Sequence, residues 1–215
     1  MLTANDYRAG LGVVQQLAAA RGSGDFARRG VELLGRLVAS EITTLSVCDL
    51  ASGRRTVVGV PAGAIAAADR AAFDRHFSEH PLVRHHTGGG RDAHRISDSV
   101  PFARFRHSAL YSDYYLRVGI DHALAVPLLV DERLLVSFVL NRRRRDFSDR
   151  ERALLDLLVP SLAQLYEHML ALDRAKVVSH GIDDLARAVQ VGSIRLGPDG
   201  AVRQFSPRAA EQALR

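Results

Sequence analysis

Five histidines fall within nineteen residues: His76, His80, His85, His86 and His94. His76 and His80 are four apart, a spacing that puts two imidazoles on one face of a helix and can chelate zinc or nickel. No glutamate stands between them as in the zinc-protease motif, because the order is His76-Phe77-Ser78-Glu79-His80. Capping and surface roles use the same residues without a metal, and no metal or other cofactor is expected. Cys48, the single cysteine, lies in an apolar stretch with no basic or cysteine partner close in sequence. It reads as a small buried hydrophobe rather than a reactive thiol. The chain has no G-x-S-x-G elbow, no phosphate-binding loop and no dinucleotide fingerprint. No catalytic residue is assigned, and an enzyme is not expected.

A second group of chemically capable residues is aromatic. Phe102, Phe105, Tyr111, Tyr114 and Tyr115 crowd a segment of fourteen residues. Tyrosine offers an apolar body and a polar tip, which suits a pocket wall. The same rings could equally plug the open face of a sheet. Arg142 to Arg145 could meet phosphates, but alternation at a strand end scatters them to different sides. Asp146, Asp149 and Glu151 follow closely, so local pairing is the simpler expectation.

These residues need elements to hold them. Asn5 to Ala20 reads as a helix with Asn5 as cap, and Asp25 can cap a second over Phe26 to Val38. Ile42 to Asp49 and Arg55 to Val60 read as strands turned by Ser52-Gly53, and Ala66 to Glu79 as a helix. His80-Pro81 should end that helix, since a residue before proline avoids the α region. A short strand is expected at Arg95 to Ser97. Phe102 to Val118 reads as helix in one or two pieces, stopped by Gly119. Ala123 to Val130 and Leu134 to Leu140 form the clearest hairpin. Both its strands are apolar on nearly every residue, so helices should cover both faces of the sheet.

The hairpin gives way to a helix at Ser148-x-x-Glu151, a capping box. That helix is expected from Asp149 to about Ala175, kinked by Pro160. Leu155, Leu158, Leu162, Leu165, Met169 and Leu172 follow a heptad seam along it. The seam could pack on its own domain or join two copies. Farther on, Ile182 to Val189 reads as a short helix. Ser193 to Leu196 and Val202 to Phe205 read as a hairpin around Gly197-Pro198-Asp199-Gly200, and Ser206-Pro207 as the start of another helix.

The 215 residues are enough for one domain with appendages, and 47% hydrophobic with 25% charged content is ordinary for a globular chain. No apolar run approaches the roughly 20 residues of a membrane helix. Met1 to Gly10 carries no secretory h-region. One cysteine suits a reducing cytoplasm, which is the expected location. The net charge of +5, from 29 basic and 24 acidic residues, fits a solvated surface better than a nucleic-acid footprint.

In order, His80-Pro81-Leu82, Arg95-Ile96-Ser97-Asp98, Ala109-Leu110-Tyr111 through Tyr115 to Gly119, Asp146-Phe147-Ser148-Asp149-Arg150-Glu151-Arg152-Ala153-Leu154-Leu155 and Pro160 carry a likeness. From about Gly24 to Met169 the chain resembles the GAF-like N-terminal sensor of bacterial LuxR-type transcriptional regulators. The resemblance implies an α+β fold, with a central antiparallel sheet flanked by helices on both faces, a long C-terminal exit helix and a small trailing β-hairpin. Residues 1–175 would be the sensor and dimerisation domain, and 176–215 a linker. Val191 to Leu214 resembles the strand-turn-strand leading to a helix-turn-helix module in such regulators. No recognition-helix pattern occurs up to Arg215, so DNA contact is expected only through a module outside this sequence.

The functional expectation is a ligand-sensing and dimerisation module of a cytoplasmic transcription regulator. An unknown small molecule would sit between the sheet and residues 102–118, touching Ser46, Cys48, Phe102, Phe105, Tyr111, Tyr114, Tyr115 and Phe138. A homodimer would form through the heptad seam. The alternative is a ligand-free module that only dimerises or docks a partner.

Overall fold

A computed structural model describes residues 1–188, 194–196, 198 and 201–205, with side chains described over 1–178, 198 and 201–202. Two compact units emerge, Met1–Met169 and Leu170–Arg215.

In the first unit, α1 (Ala4–Ala18) starts from a capping box of Thr3 and Asp6. Thr3 therefore takes the cap expected of Asn5, whose side chain instead accepts from Arg8 at 3.0 Å inside the helix. Helix α2 (Ser23–Leu37) begins at Gly22 with no side-chain cap. Asp25, the expected cap, lies in the first turn, where it accepts from the Arg21 amide and pairs with Arg29. Strands β1 (Ile42–Asp49) and β2 (Arg55–Val60) follow. Helix α3 (Ala67–Arg75) ends earlier than expected, and a single 3-10 turn spans Phe77–Glu79.

Pro81 does more than stop a helix. It sits in the first turn of α4 (Pro81–Thr87), where its missing amide hydrogen costs nothing. His80 is the cap, its Nδ1 accepting from the Leu82 amide at 3.2 Å. Because α3 ends at Arg75, His76 and His80 do not share a helical face. Next come β3 (His94–Arg95), α5 (Ile96–Ser99) and α6 (Phe102–Phe105). A π-helical turn spans Tyr111–Tyr115 and leads into α7 (Leu116–Val118). Gly119 ends it with φ of 78°, a left-handed conformation that favours glycine.

Strands β4 (His122–Val130) and β5 (Leu134–Arg142) form the expected hairpin. The sheet order is β2-β1-β5-β4-β3, antiparallel throughout. Helix α8 (Asp149–Ala188) opens on the Ser148–Glu151 box, with the Ser148 amide donating to Glu151 at 2.7 Å. It continues through Pro160 and includes residues 182–188, so the separate short helix expected there is the end of α8. In the second unit, β6 (Ile194–Leu196) and β7 (Val202–Phe205) pair antiparallel. The helix expected after Ser206-Pro207 lies outside the described residues.

Both faces of the sheet are covered. On one, Phe138 lies 5.8 Å from the Phe26 ring of α2, and Phe26 lies 5.8 Å from Tyr166 of α8. A Cβ at Gly30 would fall 2.2 Å from the Phe138 ring, so glycine is what lets α2 approach the sheet. Helix α1 packs on α8, where Gly10 faces Leu154 and Leu158. Leu155, Leu158, Leu162 and Met169 are all buried in this unit. These four members of the heptad seam are thus spent within the chain and are not open to a second copy. Leu165 and Leu172 are half-buried. The other face packs on Phe73, Leu82, Val83, Tyr114 and Tyr115, a second core beneath α3, α4 and the π turn.

Candidate functional site

The second core is where the sheet turns polar. Period-two alternation points Thr44, Ser46 and Cys48 of β1 and Ser137, Val139 and Asn141 of β5 into one cavity. Ser46 is directly opposite Ser137, and Thr44 opposite Val139. Leu82, Val83, Ala125 and Leu135 supply apolar wall, and Tyr114 and Tyr115 close the far side. The free space is about 30 Å³, roughly the room one water molecule occupies.

Arg55 enters this cavity from β2. Its guanidinium carbon lies 3.6 Å from the Phe73 ring centroid, a cation–π contact, and Nη2 donates to the Tyr114 hydroxyl at 3.2 Å. Its Nε is buried and has no hydrogen-bond partner among the described residues.

His80 sits against the same wall. Since its Nδ1 accepts from Leu82, the ring proton belongs on Nε2, which donates to the Tyr115 hydroxyl at 2.7 Å. Burial, helped by the charge of Arg55, pushes its pKa down to about 3. His86 is turned the other way. Its Nδ1 donates to the Gly90 carbonyl at 3.1 Å, which leaves Nε2 as a buried acceptor with no partner among the described residues. Burial lowers its pKa to about 4. Both imidazoles are therefore neutral at pH 7. Ser46 Oγ is buried and unpartnered as well. Burial holds the Cys48 thiol protonated, with its pKa pushed up to about 11. The site cannot supply a thiolate, a charged imidazole or a paired carboxylate. Its neutral polar groups are suited to hydrogen-bonding a guest.

The structure brings Ser46, Cys48, Tyr114 and Tyr115 of the expected site together. Phe105 and Tyr111 stand in a second row, Phe105 with its ring 5.0 Å from that of Tyr115 and Tyr111 donating to Asp121. Phe102 lies apart, half-buried with its ring 4.8 Å from His122. Phe138 projects from the opposite face toward Phe26, because it is one residue out of phase with Ser137 and Val139. Sequence reasoning missed Arg55, His80 and His86. A signal existed for part of the site: Thr44 and Ser46 share one alternation phase of β1, and Ser137 and Asn141 one phase of the otherwise apolar β5.

A separate histidine group lies near α4 and β3. His85, Asp92 and His94 bring ligand-type atoms within 4.8 Å of one another. His85 Nε2 and Asp92 are 2.7 Å apart, and the His85 and His94 rings stack at 3.5 Å and 5°. Lone pairs that lie in two parallel ring planes do not converge on one point. As arranged, this is a pair of stacked imidazoles beside a carboxylate rather than a cage. No helix among the described residues is long and apolar enough to cross a membrane.

Residues 24–166 match the family model described as GAF domain. No curated protein matches the chain by sequence. Among solved structures, the chain is similar to the ligand-binding domain of VqsR from Pseudomonas aeruginosa. The TM-score is 0.60 at 14% identity, over 77% of this chain and 97% of that one. It is also similar to CepR2 of Burkholderia cenocepacia, described as an N-acylhomoserine-lactone-dependent LuxR family transcription factor. Here the TM-score is 0.54 at 12% identity, over 78% and 96%. A phycoerythrobilin-bound GAF domain from a cyanobacterial phytochrome gives 0.52 at 12%, over 80% and 100%.

Proposed function

The chain belongs to the GAF domain family, and on that premise we propose that it is the small-molecule sensor of a cytoplasmic LuxR-type transcription regulator. The ligand occupies the cavity between the β1–β5 face of the sheet and the Tyr114–Tyr115 wall. One observation carries this reading. Ser46 Oγ and His86 Nε2, buried and unpartnered, belong to residues that line the same cavity. Unsatisfied buried polar atoms are costly, so a cavity that gathers them is suited to a guest that pairs with them.

The small free volume requires the wall to give way when a ligand enters. Tyr114 and Tyr115 lie on a π-helical turn, an irregularity often found at functional sites. A ligand switches the protein only if it favours one arrangement of this wall over another. The likeness to the ligand-binding domain of VqsR and to CepR2, a LuxR family transcription factor, supports this reading together with the sequence resemblance. DNA contact would come through a module outside this sequence.

A second reading has its own support, since about 30 Å³ of space suits a packed domain that only dimerises or docks a partner. Native mass spectrometry of protein purified from its source cells separates the two. A retained small molecule is expected. A bare chain, together with Ser46→Val and His86→Phe variants more stable than the wild type, would overturn the sensor in favour of the packed module.

A further inference from the structure

Arg55 is the one permanent charge among the residues lining the cavity. No carboxylate among the described residues lies within 4.0 Å of its nitrogens. Arg55 is half-buried with its Nε covered. A covered guanidinium N–H without an acceptor is costly, and the Phe73 face and the Tyr114 hydroxyl offset that only in part. Asp74 on α3 feels its field, yet Asp74 does not line the cavity, and its Oδ1 is itself buried and unpartnered. The other titratable groups in the cavity are neutral at pH 7: His80 and His86 by burial, and Cys48 and Tyr115 as protonated acids. A water molecule could answer Ser46 and His86, but it brings no negative charge.

The donors have a shape. On a guanidinium, Nε–H and the neighbouring Nη2–H point the same way, the edge a carboxylate takes side-on with two parallel hydrogen bonds. Here Nε is unpartnered and Nη2 has given one hydrogen to Tyr114. Across the lining, His86 Nε2 is an acceptor in need of a donor.

We propose that the ligand of this cavity is a small carboxylate with an apolar or aromatic body, its carboxylate seated on the Nε–Nη2 edge of Arg55 and a hydroxyl or N–H group aimed at His86 Nε2. The proposal rests on the reading of the cavity as the sensor site and names its ligand class. Tyr114 must swing aside to admit the body, and its bond to Arg55 is the latch that the carboxylate replaces.

Titration calorimetry and thermal-shift assays with 4-hydroxybenzoate and indole-3-acetate, each beside its primary amide, test the class. The acids are expected to bind and raise the melting temperature, with the amides about 10- to 100-fold weaker, the worth of a charge-assisted hydrogen bond. Arg55→Gln should weaken the acids by a similar factor. The Arg55 Nε–Hε resonance of ¹⁵N-labelled wild type should shift with acid and not with amide, which needs no variant. Amides binding as well as acids, or acid binding that leaves that resonance unmoved, would overturn the carboxylate class while the cavity reading stands. If neither acids nor amides bind and Arg55→Met is more stable than the wild type, the class and the cavity reading fail together.

Discussion

His80 Nε2 donates to the Tyr115 hydroxyl at 2.7 Å, joining the cap of α4 to the π turn across 35 residues of chain. His80 is 3% and Tyr115 1% exposed, so neither end has water to fall back on. Removing the hydroxyl leaves a buried N–H unpaired. Tyr115→Phe should therefore cost about 1–3 kcal/mol. Urea denaturation should show a lower midpoint with an unchanged m-value, since the surface exposed on unfolding stays the same. His80→Phe combined with Tyr115→Phe should cost less than the sum of the single changes, because both halves of the orphaned pair are gone.

Acid should weaken the fold through its buried histidines. Folding lowers the pKa of His80 to about 3 and of His86 to about 4, below the usual 6.5. Between those values the unfolded chain binds protons that the folded chain refuses, so stability rises with pH. The contribution is fully present above about pH 6.5 and is lost as pH falls through about 4 and then 3. Each histidine contributes a slope of up to about 1.4 kcal/mol per pH unit in that window. Urea midpoints measured from pH 7 to pH 4.5 should fall, and His86→Gln should flatten the slope.

Gly30 should tolerate no side chain. A Cβ there would meet the Phe138 ring at 2.2 to 2.6 Å, and the ring is fully buried. Gly30→Ala should cost about 1–3 kcal/mol through overpacking. Phe138→Leu makes room, so the double variant should be more stable than additivity predicts in a thermal-melt cycle.

The helix seam and the exposed apolar residues should behave oppositely. Leu162 is fully buried, and Leu162→Asp should unfold the first unit, at a cost of at least about 3 kcal/mol. Tyr7 and Leu11, four apart on α1, and Leu157 on α8 are exposed at 53%, 57% and 45%. If two copies associate through these helices, Leu11→Asp and Leu157→Asp should lower the mass in light scattering while circular dichroism and melting stay near wild type.

Arg95 should be irreplaceable even by lysine. Its Nη2 meets Asp98 at 2.6 Å and Asp149 at 2.8 Å, and Nη1 donates to the Phe147 carbonyl at 2.6 Å. One planar fork thus ties β3 and α5 to the start of α8, with only 15% of the side chain exposed. Lysine is a point charge that cannot span these partners. Arg95→Lys should lower stability by about 1–2 kcal/mol, one or two charge-assisted bonds, measured in denaturant with m unchanged.

Much of the frame was legible from local chemistry. The β4–β5 hairpin declared itself by unbroken apolar strands, and α8 by the Ser148–Glu151 box. In each case the cause lies within a few residues, in a hydrogen bond to a free amide or a run that must be covered on both faces. Even there, Thr3 displaced Asn5 as a cap, since Asp6 completes a reciprocal pair only with Thr3. Pro81 opened a helix because a cap, His80, preceded it.

The cavity was beyond local reading. Ser46 and Cys48 could be placed on a strand, but which face they shared with Ser137 depended on the β1–β5 register, set 91 residues apart at Ser46 and Ser137. A one-residue phase difference sent Phe138 to the other core. Arg55 was only the first residue of a strand until the fold set Phe73 and Tyr114 around it. The histidines looked like metal ligands or caps until their partners assigned the ring protons. The sequence by itself determined most of the elements, because those rest on periodicity and capping, and it carried the GAF likeness in the order and spacing of its motifs. Only the tertiary structure decided which polar atoms are buried together without partners, because burial and hydrogen-bond satisfaction depend on distant segments meeting in space.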